Sequence, residues 1–155
     1  MFTEMRKSDR QLPQEETWHI LKNAKYGVLN TIGTNGYPYG VPISFVVHKD
    51  NIYFHCASNV GSKVENIKNN PKVSFTVIGE TEILPDKFST KFESVIVFGE
   101  AKEVSPQTKQ EILELIIDKY SKGYEESGLK YIKAAFEKTA IYVIQLHHIT
   151  GKARK

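Results

Sequence analysis

The chain of 155 residues is 40% hydrophobic, 25% charged and 11% aromatic, with a net charge of +3. These values fit one globular domain and exclude a disordered chain, a collagen-like chain and a disulfide scaffold. The lone cysteine, Cys56, rules out an intrachain disulfide and a zinc site of several cysteines, and makes a reducing cytoplasm the default location.

The first ten residues are polar and read as an arm. Pro13 opens a short helix with Trp18, Leu21 and Ala24 on one side, and Gly27 closes it. Period-two patterning then predicts strands over 28–32, 41–47 and 52–56, joined by the turns Gly33-Thr34-Asn35-Gly36 and Asp50-Asn51. Pro42 lacks a backbone donor and belongs at an edge, a bulge or a ligand. Ser62 followed by Glu65 reads as a capping box opening a helix that Asn70-Pro71 stops. Two further strands follow over 73–77 and 94–98, with Gly99 at a bend or bulge. Ser105-Pro106 caps a helix carrying Ile112, Leu115, Ile116 and Tyr120, and a second helical stretch carries Leu129, Ile132 and Phe136. The last strand covers 141–146, and the basic tail after it reads as a solvated terminus. Hairpin-linked strands without regular strand–helix alternation predict a mainly β (α+β) fold. A small barrel would protect the strand edges. One domain is expected over 1–155, with the arm at 1–10 and a helical insertion at 104–137.

The segment Ser58 to Asn66 is the most informative for function. A glycine turn, a serine and then Lys63 in a first helical turn put a cation where the helix already carries partial positive charge. An anion such as phosphate would balance it; a solvated lysine offset by Glu65 is the plainer alternative. His55 leads into that turn, and on a strand His55 and Cys56 point to opposite faces, which disfavours a Cys–His nucleophilic pair. His19 and His48 stand alone and His147-His148 alternate faces, so no metal site is expected. No Gly-x-Ser-x-Gly elbow, Walker loop or dinucleotide fingerprint is present. The stretch Tyr37 to Pro42 reads as a rigid strand entry rather than a nucleic-acid stacking platform. No apolar run reaches the ~18 residues of a membrane span, and neither nucleic acid nor membrane is expected as a partner.

Four segments together carry a resemblance: Tyr26 to Thr31, Gly36 to Pro42, Ile52 to Ala57 and Gly61 to Ile67. In order and spacing they resemble the FMN-binding split-barrel family of pyridoxamine-phosphate oxidases. Met5 to Arg10 and Ile149 to Arg154 make the chain similar to the nitroimidazole-resistance (Nim) branch. The resemblance implies a six-stranded antiparallel split β-barrel with peripheral helices. It also implies a homodimer with FMN at the subunit interface. It places Ser62 and Lys63 at the FMN phosphate. Val41, Pro42, Ile43 and Ser44 fall along the flavin ring, His55 and Cys56 beside the ring and ribityl chain, and Asn66 nearby. The implied activity is an FMN-dependent oxidoreductase passing electrons from a reduced donor, a nicotinamide for instance, to a small, nitroaromatic-type acceptor. His55 would orient the acceptor or give it a proton. Ser62 stands where pyridoxamine-phosphate oxidases carry a basic residue, and their substrate-binding arginine and histidine are not evident. Vitamin B6 oxidation is therefore the second reading. A flavin- or haem-binding carrier or sensor without turnover is the third.

Overall fold

The computed structural model describes all residues, 1–155. Seven strands form one antiparallel sheet: β1 (Gly27–Ile32), β2 (Pro38–Ile43), β3 (Val46–His48), β4 (Asn51–Ala57), β5 (Lys72–Leu84), β6 (Ser89–Glu103) and β7 (Thr139–Arg154). Four helices accompany them: α1 (Gln14–Asn23), α2 (Ser62–Asn69), α3 (Pro106–Tyr120) and α4 (Glu125–Ala135). The strand order is β2-β1-β5-β6-β7-β4-β3. The two end strands, β2 and β3, are separated in sequence only by Ser44 and Phe45. The chain therefore runs directly from one end of the sheet to the other, and the sheet curls into a split barrel.

That connection explains the strand count. The stretch 41–47, expected as one strand, divides at Ser44-Phe45 into β2 and β3 and raises six strands to seven. No single straight strand can pair with β1 at one end of the sheet and β4 at the other. Pro42 sits opposite Val28 on the edge strand β2, where its missing donor is tolerated.

The interior is filled from every strand. Leu29, Phe45, Ile52, Phe54, Phe75, Val77, Val95, Val97 and Ile144 are fully buried there. Each such side chain contributes on the order of 1.5–3 kcal/mol by leaving water. Phe45 meets Phe75 edge-on at 4.9 Å between ring centres. Helix α1 adds Leu21 to this core, and α2 adds Val64 and Ile67. A second, smaller core lies outside the barrel. Val46, Tyr53, Ile141 and Val143 on β3, β4 and β7 pack under Ile112, Leu113 and Ile132 of α3 and α4. Ser105 caps α3 by accepting the Thr108 N–H at 3.4 Å, with Pro106 in the first turn.

Three local expectations change. α1 ends at Asn23, and Gly27 opens β1 instead of closing the helix. β5 and β6 extend well past the alternating segments into a long hairpin, its tip turning at Pro85–Lys87 and Phe88. The basic tail is not a loose terminus: β7 continues to Arg154, which pairs with Phe92. Tail pairing satisfies backbone groups on β6 that its polar composition gave no reason to expect. The N-terminal arm is also partly tied down, with Phe2 stacked on His148 at 4.7 Å and Leu12 donating to the Gly151 carbonyl at 2.9 Å. Gly99 does mark a bulge: the β6–β7 register slips there, and a side chain would collide with the Gln145 carbonyl.

Candidate functional site

The split of the barrel defines a groove. β2 pairs with β1 alone, so its other edge is free. β4 pairs with β3 only from Asn51 to Tyr53; from Phe54 to Ala57 it has no strand on that side. The two free edges meet at the Ser44-Phe45 corner. Continuing the β3–β4 register by two residues would set Ser44 opposite His55. An unpaired edge offers backbone donors and acceptors, which is what a planar polar ligand requires.

The candidate strand residues divide by face. Val41 and Ile43 turn inward and pack on the barrel core, so only their backbone borders the groove. Pro42 and Ser44 are exposed on the outer face. On β4, Cys56 is buried in the barrel interior, while His55 points outward. This separation follows from strand alternation. Burial raises the Cys56 thiol above its usual pKa; the Lys63 charge opposes this and Glu103 reinforces it.

α2 stands at the end of β4. Its N-cap is Gly61, with φ at +100°, and Ser62 is the first helical residue. The expected capping box is therefore absent, because the chain enters the helix through a conformation open to glycine. No side chain caps the first turn; Glu65 N–H reaches the Gly61 carbonyl at 3.2 Å. The Ser62, Lys63 and Val64 N–H groups are left without a protein acceptor. Ser62 is exposed and Lys63 half-buried at this terminus. A recess of about 480 Å³ opens here, lined by Asn59, Gly61, Ser62, Val64, Glu65 and Lys68. Lys68, which the sequence did not single out, bonds Asn59 Oδ1 at 3.2 Å and adds a second cation. The free N–H groups, the Ser62 hydroxyl and the Lys68 ammonium suit a phosphate. Lys63 stands on the same helical turn outside the lining of this recess, and its charge reaches His55 and Cys56.

Asn66 has a different place. It is 5% exposed, and its Nδ2 donates to Thr31 Oγ1 at 2.9 Å, both side chains lying in the interior. The bond ties α2 to β1, so Asn66 acts on the groove by orienting the helix.

His55 lies between the anion-suited terminus and an apolar recess. The recess holds about 120 Å³ and is lined by His55, Leu113, Ile116, Ile117, Tyr131, Ile132, Ala135 and Thr139. Thr139 already spends its hydroxyl on the Ala135 carbonyl at 2.9 Å, so the imidazole and the exposed Tyr131 phenol are the free polar groups there. Its apolar surroundings, then the Lys63 charge, lower the His55 pKa below 6.5. His48, isolated in the sequence, stands 3.0 Å from Glu111 on α3, out of line for a hydrogen bond. No three His, Cys, Asp or Glu side chains converge as a metal site would need.

Two further residues reach the corner and were not foreseen as part of the site. Tyr120 was expected only as a core residue of α3, and Lys119 had no assigned role. Tyr120 Oη accepts the Phe45 N–H at 3.0 Å, and Lys119 Nζ donates to the Phe45 carbonyl at 2.9 Å. Only folding could reveal these contacts, because α3 lies far along the chain from Phe45.

The architecture is that of the split barrels. The family model for pyridoxamine 5'-phosphate oxidase matches residues 13–153, and the chain belongs to that family. Three solved structures share the fold. A candidate 5-nitroimidazole antibiotic resistance protein from Bacteroides thetaiotaomicron is 19% identical with a TM-score of 0.74, over 92% of this chain and 86% of that one. The flavocytochrome Anf3 from Azotobacter vinelandii is 20% identical with a TM-score of 0.77, over 98% and 72%. An FAD and haem binding protein from Mycobacterium smegmatis is 13% identical with a TM-score of 0.79, over 94% and 74%. No curated protein matches the chain. No helix is long and apolar enough to cross a membrane.

The pKa direction gives a direct expectation. In ligand-free protein, the His55 imidazole should titrate below pH 6.5, and Lys63→Met should move its midpoint upward without restoring the solvent value. Two-dimensional NMR of the ring protons measures both. A midpoint unmoved by Lys63→Met would mean that the lysine charge does not reach the ring.

Proposed function

We infer that the protein is an FMN-dependent oxidoreductase acting on a small acceptor of nitroaromatic type. The observation that carries this reading is the continuity of one surface. A phosphate-suited helix terminus, a pair of free strand edges and an outward imidazole follow one another along the split of the barrel. The family membership and the names of the structural neighbours, which include flavin- and haem-binding proteins, support it. Bound FMN would supply two-electron chemistry at its ring, which no side chain of this protein can provide.

The protein's part is to bind, orient and exclude water. Lys63 and the Ser62, Lys63 and Val64 N–H groups would hold the phosphate, with Ser62 Oγ as a further donor. The backbone at Ile43 and Ser44 would hydrogen-bond the ring edge, with Val41 and Pro42 setting the strand's path. Cys56, facing the interior, would contribute only through its backbone on β4, and Asn66 through its hold on α2. His55 would orient the acceptor at the apolar recess and give it a proton from Nδ1 or Nε2. Because its pKa is lowered, the donating form is lost as pH rises through a midpoint below 6.5, and the supported rate falls with it.

A homodimer belongs to this reading, with the groove completed by a second subunit. Ile78, Ile96 and Phe98 are exposed on β5 and β6, as are Ile83 and Phe88 near the hairpin tip. So much apolar strand surface is what a two-fold interface would cover. Sedimentation of the FMN-loaded protein should give twice the mass of the chain; the mass of one chain would count against the dimer.

Lys63→Ala should weaken FMN much more than riboflavin, which lacks the phosphate. The difference should be about 1.5–3 kcal/mol, as for a hydrogen bond to a charged group, read by fluorescence titration. Equal losses for the two ligands would place Lys63 away from the phosphate.

His55→Ala should keep FMN bound and slow reoxidation of the reduced protein by a nitroaromatic acceptor. The expected loss is about 10²–10⁴-fold, the usual range for general acid–base catalysis. Single-turnover absorbance measurements between about pH 5.5 and 8 test this around the reference histidine pKa. Rates equal to wild type throughout would leave His55 a packing residue.

A further inference from the structure

The end of α3 places an uncompensated cation at the site. Lys119 Nζ donates to the Phe45 carbonyl at 2.9 Å and stands 4.1 Å above the Phe45 ring centre. It forms none of the ion pairs in the structure. Burial, with no carboxylate to offset it, lowers its pKa to about 8. A half-buried ammonium without a counter-charge costs stability.

The corner does not need that charge for its own sake. The neutral Tyr120 hydroxyl already receives the Phe45 N–H and donates to the Lys25 carbonyl at 2.7 Å. A neutral donor at position 119, such as glutamine, could serve the Phe45 carbonyl without any charge. The charge is therefore explained better by something that arrives in the groove. Phe45 directly follows Ile43 and Ser44, so the residue whose carbonyl holds Nζ lies two peptide units, roughly 7 Å of chain, from the edge assigned to the flavin ring.

We propose that Lys119 tunes the cofactor electrostatically. Its ammonium, fixed by the Phe45 carbonyl and ring, favours reduced over oxidised FMN, and Tyr120 positions the corner that holds it. This rests on the groove being the flavin site. Reduction near neutral pH adds two electrons and one proton to the bound ring, leaving one more negative charge than before. A cation at this corner stabilises that charge selectively, and a partly desolvated corner screens it less than water would.

The test is the two-electron midpoint potential of FMN-loaded protein, measured by dithionite titration against a reference dye. Lys119→Met should lower the affinity for reduced FMN relative to oxidised FMN about tenfold, a fall of about 30 mV. Lys119→Gln, which keeps a donor for the Phe45 carbonyl but no charge, should do the same and serves if the methionine variant does not fold. Lys119→Arg should stay near wild type. Tyr120→Phe should weaken both redox forms equally and leave the midpoint in place. An unchanged midpoint in the uncharged variants, with FMN still bound, overturns the role of Lys119 and leaves the flavin site standing. Wild-type protein that binds no FMN overturns the flavin site and this role with it.

Discussion

The peptide at Phe45 is the constraint on which the rest of the structure turns. The chain must leave one end of the sheet at Ile43 and join the other at Val46, with two residues for the passage. Neither ladder can satisfy the Phe45 backbone during that passage, and a buried orphan amide is costly. Tyr120 and Lys119 take its N–H and carbonyl instead. The Phe45 side chain is meanwhile fully buried against Phe75. One residue thus anchors the barrel core, closes the sheet and is bound by the helical insertion.

The split follows from that closure. Once β3 leaves β4 after pairing with Tyr53, the rest of β4 keeps an open edge, and β2 keeps one as well. Soluble proteins ordinarily block such edges with charges, bulges or covering elements. Here the helical pair α3 and α4 covers the outer face of β3, β4 and β7 and stops at His55. Beyond it the outer face runs toward α2 and Lys63. The unblocked edge is therefore bounded by an apolar wall on one side and by positive charge on the other.

This arrangement also divides the labour of neighbouring residues. His55 and Cys56 are adjacent in sequence, yet one faces the groove and the other the core. Lys63 and Asn66 occupy one short helix, yet the charge of one reaches His55 and the other bonds Thr31 in the interior. The fold alone supports many chemistries, and the functional conclusion rests on the site rather than on the barrel. The site's charges are local and distributed: Lys68 lines the recess at α2, the Lys63 charge reaches His55, and Lys119 holds the Phe45 carbonyl, in a chain whose overall excess is only +3.

Much of this was legible before folding. Alternation located most of the strands, because successive side chains point to opposite faces of a sheet, and β7 stood out as a continuous apolar run because both of its faces are covered. Gly99 announced its bulge, and Ser105-Pro106 announced the start of α3, since those features depend on a residue and its immediate neighbours. The opposite orientation of His55 and Cys56 followed from strand geometry alone. Other features depend on partners far away in the chain. The break at Ser44-Phe45 is invisible in the run 41–47, because apolar alternation there is as compatible with one strand as with two. The length of β7 is set by pairing with β6, which a basic, polar tail conceals. Gly61 displaced Ser62 as the cap because the approach of the chain from β4 required a positive φ. Asn66 looked available to a ligand until Thr31 was brought beside it. Local sequence determined which elements form and which faces they bury. Tertiary structure decided where the barrel opens and which cation stands at its corner, because those outcomes are set by long-range satisfaction of backbone groups that carry no residue-specific mark.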